Sequence, residues 1–160
     1  MILEPNVCID EFTDNKIVEN RLNIADHLLL SVANQIAKLF PNNNVYVGSQ
    51  QQDIETPCFF VDYSSINNNQ KLDDLSEYTF LTEISYIPKN ELSRLELNSV
   101  LFVLEQNLSI IKSDIGIFRI YSKNSDITDG IAHITSAITA LEQTKDEEII
   151  IEKADKELII

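Results

Sequence analysis

Residues 76–87, SEYTFLTEISYI, alternate in polarity for twelve positions without a break. A period of two sends successive side chains to opposite faces of a strand, and no helix face accommodates it. Tyr78, Phe80, Thr82, Ile84 and Tyr86 fall on one face, and Thr79, Leu81, Glu83, Ser85 and Ile87 on the other. The run predicts one long strand, closed by Pro88. Its second face is mixed rather than polar, so it either receives helices or is offered to another subunit. Both readings stand on the pattern alone.

The rest of the chain predicts what surrounds that strand. Ala25, Leu28, Leu29, Val32, Ala33, Ile36, Ala37 and Phe40 recur at helical spacing until Pro41 and Asn42–Asn44 stop them. Asp26, Asn34 and Lys38 fall on the wet side of that helix. A second helix is expected from about Asn90, a good N-cap type, with Leu97, Val100, Leu101, Leu104 and Leu108 as its stripe. Short strands are expected at 45–48 (VYVG), 57–63 (PCFFVDY) and 115–121 (IGIFRIY), and a long one at 131–141 behind an Asp129-Gly130 turn. Residues 64–75, with three successive asparagines, read as a surface loop.

The expected order is arm-α-β-β-β-α-β-β-tail. That is an α+β domain, mainly antiparallel, with two helices packed on one face of the sheet. Its parts are an N-terminal arm (1–21), whose first twenty residues show no clear period and read as an arm or a short strand, one domain (22–145) and a charged tail (146–160).

Composition excludes several function classes. Twenty-six acidic residues against twelve basic ones give a net charge of −14, the wrong sign for neutralising phosphates. Such acidity ordinarily serves solubility; a surface that repels DNA is the rarer use. The first residues, MILEPNVCIDEF, lack the basic head of a secretory signal, and no apolar run approaches the ~20 residues of a membrane span. Two cysteines make no disulfide framework, which fits a reducing compartment. Three scattered glycines build no phosphate loop, and the two histidines and two cysteines have no metal-ligand spacing, so no cofactor or metal is expected. Cys58 with His133 is the one nucleophile–base combination available. The apolar surroundings of Cys58 (PCFFV) argue instead for the start of a buried strand. His133 and His27 read as strand and helix-boundary residues.

Four motifs in order resemble the tail terminator family of phages that infect Gram-positive bacteria. They are the opening helix followed by VYV, the E-x-PCFF-V strand, the aromatic strand ending Tyr86-Ile87-Pro88, and Asp129-Gly130-Ile131-Ala132-His133 opening a long strand. The resemblance spans roughly residues 22–145; the arm and the apolar-tipped tail depart from it. It implies a non-enzymatic part, a homo-hexameric ring that caps the tail tube and joins it to a neck or sheath. The implied partners are further copies of the chain, the tube protein, and the last sheath ring or a neck protein. DNA would pass through without specific binding, and no membrane is involved. The ring would assemble in the host cytoplasm and end in a phage or a tail-like bacteriocin, with a contractile or a plain tail. Another adaptor ring of the same particle, and a small cytoplasmic enzyme using Cys58, are the alternatives.

The candidate interface residues are Thr79, Leu81, Glu83 and Ser85 on the long strand, with two triplets in the tail. Ile149, Ile150 and Ile151, and Leu158, Ile159 and Ile160, are large apolar residues in a charged setting. Exposed, they invite aggregation, so a sheet edge of the same subunit or of a neighbour is expected to take them by strand addition.

Overall fold

The computed structural model describes residues 1–48, 53–90 and 93–143. Its elements are β1 (Val7–Cys8), α1 (Glu11–Val18), α2 (Ile24–Leu39), β2 (Asn44–Val47), β3 (Cys58–Leu72), β4 (Leu75–Ile87), α3 (Arg94–Asn107), β5 (Ile110–Ser113), β6 (Gly116–Thr128) and β7 (Ile131–Gln143). The strands form one sheet in the order β1-β2-β3-β4-β7-β6-β5. The class is α+β and mostly antiparallel as expected. The described residues add a third helix, and β1-β2-β3 are parallel, so the sheet is mixed.

The alternation at 76–87 is borne out. Phe80, Thr82, Ile84 and Tyr86 are buried, while Glu83 is exposed. The inward face of β7 meets them in register, Phe80 against Ile138 and Ile84 against Ile134. Between those two pairs the hydroxyls of Thr82 and Ser136 bond each other, so two buried polar groups satisfy one another. The turn between β6 and β7 also follows the sequence, with Asp129 and Gly130 at φ 53° and 74°, as a two-residue hairpin requires.

α2 packs against β1, β2 and β3 and also against β5, while α3 covers β7 and β6. In a flat sheet β2 and β5 would lie roughly 24 Å apart at about 4.8 Å per strand. One helix, about 10–12 Å across, does not reach both and leave the strands between them to α3. The sheet is therefore curled, a half-barrel closing round α2 and α3. One continuous core fills it, from Leu28, Val32 and Ile36 of α2 through Phe59, Ile84 and Ile134 to Leu97 and Leu104 of α3. Both expected stripes face this core.

The first twenty residues, read as an arm or a short strand, hold a two-residue strand, β1, and add the helix α1. Asp10 caps α1 by accepting from the Thr13 amide at 2.8 Å, and hydrogen bonding from the Thr13 side chain, with the amide adding to it, holds its carboxyl below its ordinary value. Lys16 pairs with Asp26, and Asn34 accepts from the Glu4 amide and donates to the Ile2 carbonyl. Two residues expected to be merely wet on α2 therefore hold the chain's first twenty residues. Asn6 closes the other end of α2. Its amide donates to the carbonyls of Ala37, Phe40 and Asn43 at 3.2, 3.1 and 2.8 Å, so it ties the last turn of α2, whose carbonyls lack partners within the helix, to the loop that follows.

Three boundaries also differ. Residues 64–72, expected in a loop, continue β3, because the long ladder of β4 pairs them through Leu72↔Leu75 across a bulge after Tyr63. β6 runs on to Thr128 past a bulge at Ser122, whose φ is 54°, and four-residue β5 precedes it. α3 starts at Arg94 rather than near Asn90, behind Ser93, which makes no side-chain cap bond.

Candidate assembly surface

The possible catalytic pair comes apart on the sheet. Cys58 lies on β3 opposite Ile87, and His133 lies on β7 opposite Ser85, with β4 between them. Two strand spacings separate them by roughly 10 Å at the least. Cys58 is fully buried, and burial pushes its thiol up to about 11, with Cys8 adding to the shift. A thiol held protonated at neutral pH is the reverse of an activated nucleophile. The His133 ring bonds Ser85 Oγ at 2.9 Å, a satisfied strand histidine. No group of His, Cys, Asp and Glu among the described residues is placed to hold a metal.

The other candidates share one surface. Thr79, Leu81, Glu83 and Ser85 lie on the convex face of the half-barrel, opposite Thr139, Ala137, Thr135 and His133 of β7. On their other side stand Asn67, Ser65, Asp62 and Phe60 of β3. Neither helix covers this face; α2 and α3 lie on the concave side. The reading in which the second face receives helices is therefore wrong. Asp62 and Glu83 are direct cross-strand neighbours, both exposed, a like-charge pair that works against the isolated subunit. The tail candidates Ile149–Ile151 and Leu158–Ile160 lie outside the described residues.

A second apolar feature escaped sequence reasoning. Leu95 is 86% and Phe102 63% exposed, seven residues apart on one face of α3. Their signal was present: both are large apolar residues that fall off the Leu97–Leu104 stripe.

The described residues thus form a curled sheet with both helices of its core on the concave side and a convex ladder that no helix covers. The chain matches the sequence model of the phage tail terminator protein family over residues 27–150, more than three quarters of its length. It belongs to that family, whose members are structural and not enzymes. A search of curated proteins returns no match. No helix of the described residues is long and apolar enough to cross a membrane.

Proposed function

We propose that the chain forms a homo-hexameric ring that caps the tail tube and joins it to a neck or sheath. The observation that carries this reading is the family match across residues 27–150. A closed ring needs a heterologous interface, two different patches on each subunit, repeated by rotation. The convex ladder at Thr79, Leu81, Glu83 and Ser85 supplies one broad patch, and the Leu95–Phe102 stripe on the helical side is suited to be the other. The tube protein is the partner below the ring.

Six copies of a −14 chain put −84 around the pore. Phosphates find no net attraction there, which suits passage of DNA without retention. The same ring serves a complete phage or a tail-like bacteriocin, with or without a contractile sheath. Deleting the gene tests the reading. Tubes of irregular, excessive length in negative-stain images support termination. Tubes of normal length that merely fail to join heads would make the protein a neck adaptor instead.

A further inference from the structure

The start of α3 departs from what its own sequence offers. Ser93-Arg94-Leu95-Glu96 has the S-x-x-E spacing of a capping box. In that arrangement the serine hydroxyl accepts from the amide three residues on, and the glutamate reaches back to the serine amide. α2 builds it in full: Asn23 Oδ1 accepts from the Asp26 amide at 2.8 Å, and Asp26 accepts from the Asn23 amide at 3.1 Å. α1 likewise has its cap in Asp10. At α3 the same groups are engaged elsewhere. Among the described residues Ser93 makes no side-chain cap bond, and its amide donates to the Asn90 carbonyl at 3.1 Å. Glu96 accepts instead from the hydroxyl of Tyr86 on β4.

The reason lies in burial. Tyr86 is 4% exposed and its ring packs on Phe59, so its hydroxyl needs an acceptor inside the protein. A carboxylate is the stronger kind of acceptor. Burial, with Glu96 adding to it, pushes the phenol above its ordinary value, so Tyr86 remains the donor. The tertiary bond therefore wins over the local one. A place where local preference and tertiary contact disagree has two arrangements close in free energy. We infer that Glu96 is a latch with two positions: it locks α3 to β4 through Tyr86, and on release it closes the capping box with Ser93. The turn that changes, residues 93–96, contains Leu95, which is 86% exposed. The latch thus sets how α3 offers its apolar face of Leu95 and Phe102. That use rests on the proposed ring contact, whereas the two positions of Glu96 do not.

A double-mutant cycle on the full chain decides it, read by urea unfolding and by hydrogen exchange of the Glu96 amide. With Tyr86 in place, Ser93→Ala should change the ratio of folded to unfolded protein by less than about twofold, as an uninvolved surface residue does. Tyr86→Phe keeps the packed ring and frees the carboxylate. In that background Ser93→Ala should lower the same ratio about fivefold or more, the ordinary loss of a serine cap. The Glu96 amide should exchange about tenfold more slowly in Tyr86→Phe than in the unaltered chain, and lose that protection when Ser93→Ala is added. Equal effects of Ser93→Ala in the two backgrounds overturn the inference. So does a Glu96 amide whose protection Tyr86→Phe leaves unchanged, or whose protection survives Ser93→Ala. A fivefold loss from Ser93→Ala with Tyr86 in place overturns it too, and that arm needs no change at Tyr86. Each of these results is read on the subunit, so the ring reading stands or falls separately.

Discussion

Replacing Asn6 with alanine removes one side-chain amide and three contacts at the C-terminal end of α2. The amide has two protons for the carbonyls of Ala37, Phe40 and Asn43, so the short bond to Asn43 at 2.8 Å takes one and the other two carbonyls share the second. A net hydrogen bond contributes about 0.5–1.5 kcal/mol, and a partly buried carbonyl left without a donor raises the cost of losing it, although that of Phe40 keeps the Asn43 amide. Asn6→Ala should therefore destabilise the domain by roughly 1.5–3 kcal/mol, or about 3–12 °C at 2–4 °C per kcal/mol for a domain of this size. Asn6→Asp should cost more, since it keeps the shape, loses both protons and sets a carboxylate against the negative end of the helix dipole. Urea titration followed by circular dichroism measures both, with an unchanged slope marking a true loss of stability. A loss below about 0.3 kcal/mol in Asn6→Ala would refute the role given to Asn6 in closing the end of α2.

Cys58→Ala should fold and assemble normally at a cost of about 1 kcal/mol, the ordinary scale for a small core truncation. In the unaltered chain a thiol reagent at pH 8 should modify half-buried Cys8 well before Cys58; failed assembly by a folded Cys58→Ala protein would refute the reading of Cys58 as a plain core residue. Glu83→Lys should have opposite effects at two levels: it turns the Asp62 repulsion into attraction, raising subunit stability by up to about 0.5 kcal/mol, while disturbing ring assembly. Equal loss of both would show that Glu83 serves folding. His27, whose Nδ1 is buried with no partner among the described residues, has its pKa lowered mainly by burial. The unfolded chain thus binds the extra proton first, so stability should fall as pH drops below about 6.5. That slope should be shallower in His27→Leu, and identical slopes would refute the assignment.

What the sequence made legible is what has a period. The helix stripes and the two faces of β4 follow from spacing alone, because burial on one side leaves a regular mark. Residues 64–72 carry no such mark: SSINNNQKL has one strong strand former, Ile66, among polar residues and three asparagines, and the ladder of β4 makes it a strand. α1 buries no residue, and its position rests on the Asp10 cap and the Lys16–Asp26 pair, neither of which a hydrophobic pattern registers. Four-residue β5 is too short to show alternation. The convex candidates Thr79–Ser85 were visible as the second face of an alternating strand. The bond of Glu96 to Tyr86 was not, because the spacing of residues 93–96 points to a local cap and the competing hydroxyl arrives only when α3 packs on β4.

Cryo-microscopy of the tail's head-proximal end most directly tests the assignment as a tube-capping ring. Six copies in a closed ring on the last tube layer, with each convex ladder against its neighbour's helical side, are the predicted result. One copy, twelve copies, or a tube end without this chain would contradict it.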